Sequence, residues 1–283
     1  MTVSCSSTTI APLHGHVALP YWHALVRAIE LVGVKQESIG PVTHAAEIEE
    51  GLSTISVARY IALFEVGLKQ RSDFGLMVGK SVTPGSYPVL GITLLSCKNL
   101  LQVLEQVVRY ESLNHDLGKS HLELGSHESI YTWVPNSLFF PDDTSALCFH
   151  LVVSVFAGIQ TFSPWLINRI IPFKSICFKG TKPANAEVYS TFFGTEIQYG
   201  QETNSIVVDS SILDWPVLNG DTTSFDALTA YADTLLNTTD QKKDIISRLK
   251  SLLPEALRRQ AFRIDDLATE LNMSTRTLQR KLK

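Results

Sequence analysis

Apolar positions along this chain repeat with two different periods, and the change between them divides it into regions. Tyr21–Leu31 carries a helical period and stops at Gly33. Ser56–Gln70 repeats that period, with Val57, Ile61, Phe64 and Leu68 lining one predicted face. A loop holding Gly40-Pro41 separates the two, and residues 1–19, rich in Ser and Thr, read as a flexible tail. Phe74–Gly91 is dense in turn residues: Gly75, Gly79, Pro84-Gly85, Pro88 and Gly91. Asn99 is placed to cap a third helix reaching about Leu113, with Leu100, Leu104, Val107 and Val108 inward.

Alternation of polar and apolar residues then takes over. Ser120–Leu124 and Ile130–Val134 flank Gly125-Ser126-His127-Glu128, a β-hairpin signature. Ala146–Phe162 is a long apolar run that contains His150, Ser154 and Gln160, too short and too polar for a membrane span, and predicts a buried helix. Pro164 ends it or opens a short turn. Phe173–Lys179 reads as a strand and Ala184–Phe193 as a short helix closed by Gly194. Glu196–Tyr199 and Ser205–Asp209 read as a second hairpin across residues 200–204, before a break at Pro216 and Gly220. Helices first, then hairpins interleaved with helices, predict an α+β domain over roughly 20–220.

The end of the chain is helical in pattern. Thr222–Asn237 is a helix, Asn237-Thr238-Thr239-Asp240 a cap-rich junction, and Lys242–Leu253 an amphipathic helix ended by Pro254. Its Ile245, Leu249 and Leu252 or Leu253 share one face. In Ile264–Lys283, Asp265 and Asp266 open a helix whose inner face holds Ala268 and Leu271. Asn272 accepts a left-handed turn, Met273 plugs it, and Ser274 caps a second helix. There Leu278 and Leu282 point inward, while Arg276, Gln279, Arg280 and Lys283 form one outward stripe. Helix, tight turn and a basic second helix make a helix-turn-helix, with Lys242–Leu253 as the third helix that two short ones need for stability.

Charge sharpens this division. The whole chain carries −4, which by itself argues against a nucleic-acid binder. Residues 1–239 hold 13 Lys and Arg against 22 Asp and Glu, a net of −9, whereas residues 240–283 hold 11 against 6, a net of +5. An acidic body thus carries a basic end that can approach phosphates. Four cysteines lack a CxxC spacing, with Cys148 and Cys177 in apolar surroundings, as in a reducing cytoplasm. The first residues have no basic stretch followed by an apolar run, so no signal peptide is predicted. No metal site or cofactor is expected: His14 and His16 fall in the tail, and His115, His121 and His127 straddle a helix end and a hairpin. His150 reads as a core histidine that could instead face a ligand. No nucleophile elbow, phosphate loop, HExxH or dinucleotide fingerprint occurs, so the chain does not read as an enzyme.

The segment LATELNMSTRTLQRKLK resembles the first helix-turn-helix of AraC/XylS-type bacterial transcription regulators. FGLMVGKSVTPGSYPVLGITLLSCKNLLQVLEQVVRY (74–110) and YSTFFGTEIQYGQETNSIVVDSSILDWPV (189–217) resemble the arabinose-binding-like N-terminal domain of one branch of that family. Asn272 stands where the family usually has Gly. The resemblance implies a cytoplasmic regulator that binds double-stranded DNA under control of a small-molecule effector, often as a homodimer. By position, Arg276, Gln279 and Arg280 match base-facing residues of the recognition helix, the same stripe derived above. Arg suits the O6/N7 edge of guanine and Gln the N6/N7 edge of adenine, whereas Lys281 and Lys283 suit phosphates. The resemblance also implies a second helix-turn-helix past Lys283, making this chain truncated.

The expected organisation is therefore a tail (1–19), an α+β regulatory domain (20–237) and an incomplete all-α helix-turn-helix segment (238–283). The alternative function is a small-molecule sensor or oligomerisation module that does not bind DNA in this form. A ligand pocket would lie between helices and hairpins, with Tyr131, Trp133, Phe149 and Tyr199 as candidate lining.

Overall fold

The computed structural model describes residues 15–34, 53–259 and 263–282, without the side chains of 240–244, 247, 250, 255, 281 and 282. Gly40-Pro41 and the first fourteen residues lie outside the described residues. By internal contacts the chain forms two compact units, one ending at Leu228 and one beginning at Thr229.

The first unit opens on a short strand, β1 (His16–Ala18), rather than on tail, and helix α1 (Leu19–Leu31) follows it. β1 pairs antiparallel with β2 (Thr54–Ser56). Helix α2 (Val57–Gln70) starts where Ser56 accepts the Arg59 N–H. It buries Tyr60 and Leu63 beside Val57 and Phe64 and leaves Ile61 and Leu68 half-buried, so its inner face is turned from the predicted one.

The turn-dense stretch is largely helical. It forms α3 (Phe74–Lys80), a 3-10 turn (Pro84–Ser86) and α4 (Pro88–Ser96), with Pro88 in a first turn that needs no N–H from it. Two of its glycines serve packing instead of turning. A β-carbon at Gly75 would collide with the His150 carbonyl, and one at Gly79 with Ala157 and the Ser154 carbonyl, so α3 lies almost backbone to backbone on α6 (Ala146–Ile167). Helix α5 (Leu100–Tyr110) is capped by Asn99, as expected, though Val108 is exposed. Helix α6 is buried over most of its length and runs through Pro164 to a left-handed cap at Asn168.

The remaining strands form one sheet: β3 (Gly118–Glu123), β4 (Glu128–Pro135), β5 (Ser175–Phe178), β6 (Glu196–Tyr199) and β7 (Ser205–Asp209), in the order β3-β4-β7-β5-β6. The first hairpin, β3–β4, is as predicted, with Ser120 opposite Trp133. The second is not a hairpin. β5 inserts between the other two, parallel to β6 and antiparallel to β7. Burial explains the insertion, because Ile176 and Phe178 of β5 are wholly buried while β6 alternates exposed and half-buried positions that suit an edge. Helix α7 (Ala186–Phe193) closes at Gly194 before β6. Cys148 is buried on α6, whereas Cys177 on β5 is only half-buried.

The helix that leads into the second unit departs from prediction. Thr222–Arg258 is one helix, α8, and the supposed junction lies inside it. The hydroxyls of Thr234, Thr238 and Thr239 donate to the carbonyls of Ala230, Thr234 and Leu235, four residues back. These cap-type residues therefore turn onto the helix they were expected to interrupt. Pro254 also sits within it. Helices α9 (Ile264–Glu270) and α10 (Thr275–Leu282) complete the unit.

Candidate DNA-binding surface and ligand cavity

The second unit is held by a small core. Ile245, Ala268, Leu271 and Leu278 are buried together, with Leu249, Leu252, Leu267 and Met273 packed against them. Asn272 adopts φ 55°, and the Met273 N–H donates to the Ala268 carbonyl at 2.9 Å, closing a left-handed turn between α9 and α10. Ser274 Oγ accepts the Thr277 N–H at 3.2 Å, and Thr275 Oγ1 donates to Asp265 Oδ1 at 2.6 Å, so side chains tie the two helices at the turn. Leu278 faces inward from α10, while Arg276, Gln279 and Arg280 are all exposed. The 3.6-residue period is what separates these faces. Lys281 lies on α10 with its side chain not described, and Lys283 falls outside the described residues.

A cavity of about 120 Å³ lies inside the first unit. The sheet supplies Leu122, Tyr131, Ile206 and Val208, and α6 supplies Val155, Ile159, Phe162 and Leu166. Leu90 and Leu94 of α4 and Val103, Leu104 and Val107 of α5 line another side. These walls are apolar, and the polar groups are few: Tyr21, Tyr87, Glu111, Asn114, His115 and Tyr131.

Glu111 is the charged member, carried by a 3-10 turn (Glu111–Leu113) directly after α5. Its Oε2 accepts the Ser120 N–H at 2.6 Å and its Oε1 accepts the Trp133 Nε1–H at 2.9 Å. Burial pushes its carboxyl up to about 7, opposed by those hydrogen bonds. His115 Nε2 lies 4.0 Å from Glu111 Oε1, and burial pushes this imidazole down to about 4, so near neutral pH it offers no positive charge. Tyr131 and Ser120 share a hydroxyl hydrogen bond of 2.6 Å. The Tyr21 ring centroid lies 5.0 Å from that of His115 and 5.6 Å from that of Tyr87. Burial raises the hydroxyls of Tyr21, Tyr87 and Tyr131 well above their usual range.

Of the four aromatic residues expected at a pocket, only Tyr131 lines this one. Trp133 is fully buried and holds Glu111 from behind. Phe149 and Tyr199 instead pack with Phe178 in an aromatic cluster outside the cavity lining, which Tyr189 joins through Phe149 and which Phe156 links to Tyr131. His150 is buried near Tyr189 and outside the cavity lining, and burial pushes its imidazole down to about 4.

The decisive comparison is with a family described as the arabinose-binding domain of AraC transcription regulator, N-terminal, which matches residues 43–217, more than half of the chain. The chain belongs to this family. Its cavity lies within the AraC-type region, since all of the lining except Tyr21 falls inside the match. Residues 250–283 match a second family, bacterial regulatory protein, Fis family, which covers the described helix-turn-helix. Both matches describe regulators, and the chain is a transcription regulator with a helix-turn-helix of the DNA-binding kind. Among solved structures, the transcriptional regulator CdpR from Pseudomonas aeruginosa is similar at 16% identity. The match covers 93% of this chain and 78% of that one, with a TM-score of 0.57, a likeness of fold. No curated protein matches the sequence.

Proposed function

We propose that this AraC-type chain is a cytoplasmic transcription regulator whose C-terminal unit reads a DNA sequence and whose N-terminal cavity holds a small-molecule effector. The observation that carries the DNA half is the division of α10 into a buried Leu278 and an exposed Arg276–Gln279–Arg280 stripe, behind a capped left-handed turn. Arg276 and Arg280 pair with guanine edges and Gln279 with adenine, while Lys281 and Lys283 hold phosphates. The sensing part spans residues 20–237 and the DNA-binding part residues 238–283. An effector controls DNA binding only to the extent that it binds one state of the protein better than another.

Selection from a randomised duplex library with the full chain supplies the probe. Affinity for the selected duplex should fall steeply as salt rises. Arg276→Ala or Arg280→Ala should relax specificity at one base pair, each costing about 1–3 kcal/mol. Binding that ignores all three stripe substitutions would retire the recognition-helix assignment. A chain that selects no duplex would favour the sensor module without DNA binding.

A further inference from the structure

Resting on the effector-site reading of the cavity, we propose that its ligand is a hydrophobic amine or quaternary ammonium whose positive head lies at Glu111 among Tyr21, Tyr87 and Tyr131. Neither a carboxylate-headed lipid nor a sugar suits the same space.

The first observation is a buried acidic group that no Lys or Arg in the cavity lining accompanies among the described residues. Glu111 is buried and lines the cavity, and among the described residues no Lys or Arg lines it. Its protein partners are two neutral donors, the Ser120 N–H and the Trp133 indole, each taking one carboxylate oxygen and leaving lone pairs unused. His115, the nearest basic side chain, is 4.0 Å away and held neutral by burial. Lys119 acts on Glu111 only from an exposed position on β3. A buried carboxylate costs stability until a cation or further donors accompany it, and a cationic ligand supplies both.

The second observation is the aromatic surround. Three tyrosines line the same cavity, and two of them place their ring centroids 5.6 Å apart. Tyr131 reaches the Glu111 carboxylate through the shared partner Ser120, whose hydroxyl bonds Tyr131 and whose N–H bonds Glu111. Aromatic faces around an acidic group are the chemistry that recognises ammonium and its methylated forms. A carboxylate ligand would meet Glu111 with no cation to offset the repulsion. A sugar would bring many hydroxyls against walls of Leu, Ile, Val and Phe that offer them no hydrogen bond.

Isothermal titration of the full chain with four probes of one chain length tests this: octylamine, octyltrimethylammonium, 1-octanol and octanoate. The two ammonium probes should bind at least about tenfold more tightly than octanol, the scale of a charge and cation–π contact in a desolvated site, and octanoate should bind most weakly. Glu111→Gln should erase the ammonium preference and leave octanol unchanged. Octanoate equal to octylamine, or a preference that survives Glu111→Gln, overturns the head-group assignment while the effector cavity stands. Should Glu111→Gln fail to fold, the ranking of the four probes on the unaltered chain decides by itself. If none of the four binds, or if filling the cavity by Leu104→Trp leaves their binding unchanged, the effector-site reading itself falls.

Discussion

The two units use opposite geometries to carry chemistry. The helix-turn-helix unit keeps a core of a few apolar side chains and turns a polar stripe outward, so Arg276, Gln279 and Arg280 stand in solvent on the back of Leu278. The N-terminal unit turns polar residues inward, where Glu111, His115 and three tyrosines share an apolar cavity. Solvation sets the consequence. The exposed guanidinium groups face water, whereas the buried carboxyl and imidazole are displaced in opposite directions by loss of water. One unit needs a rigid frame behind an ordinary surface, and the other needs an extraordinary interior.

Breaking the small frame should give the largest effect. Leu278→Ala removes a nearly inaccessible side chain from a core of four, at a cost of about 2–5 kcal/mol. A core this small supplies roughly 3–5 kcal/mol in all, so the substitution should melt α9 and α10 and abolish binding to the selected duplex. The first unit should keep its own calorimetric transition and its probe binding. Simultaneous loss of both transitions would show the units to be a single cooperative block.

The interior should instead reveal itself through pH. Glu111 has a native value near 7 against an ordinary 4.5, so between those values the folded chain holds a proton that the unfolded chain has released. Stability contributed by this group is therefore full below about 4.5 and falls as pH rises towards 7. His115 and His150, each near 4 in the folded state against 6.5, act in the other direction and add stability as pH rises from 4 to 6.5. Glu111→Gln should remove only the falling component, so its stability relative to the unaltered chain should improve steadily from pH 5 to 7 in denaturant titrations. A pH-independent difference between the two proteins would mean that Glu111 titrates normally in the folded chain.

Legibility in the sequence follows the same division. The exposed stripe of α10 was readable because a helix face is a local fact: ten residues define it and one buried leucine orients it. The N-cap at Ser274 and the left-handed Asn272 were equally local. The cavity was not readable, because Tyr21, Glu111, Tyr131 and Phe162 meet only after α1, the turn that follows α5, β4 and α6 have assembled. One signal was present all the same. Glu111 continues the spacing of Leu100, Leu104 and Val107, which puts a carboxylate in line with an apolar stripe. Gly75 and Gly79 misled because close helix packing and turns ask for the same residue, and Thr238 and Thr239 because a hydroxyl that caps a helix can also bond back onto one. The insertion of β5 between β6 and β7 depends on which strand is most buried, a property of the whole sheet that no single strand states.

The smallest effect should come from the residue that joins frame to surface. Ser274 is exposed, yet its Oγ accepts the N–H of Thr277 in the first turn of α10 and bonds the Thr277 hydroxyl at 2.8 Å. Ser274→Ala leaves that N–H to solvent and should cost about 1 kcal/mol, whereas Ser274→Gly should cost only a few tenths. If the stripe works because α10 is preformed, DNA affinity should fall only as far as the folded fraction does, much less than the roughly fivefold drop in the unit's folding constant for alanine and less again for glycine. Ser274→Asp should restore the cap while adding negative charge near DNA. Stability would then recover and affinity would not, and that separation would show where the frame of α10 ends and its electrostatic surface begins.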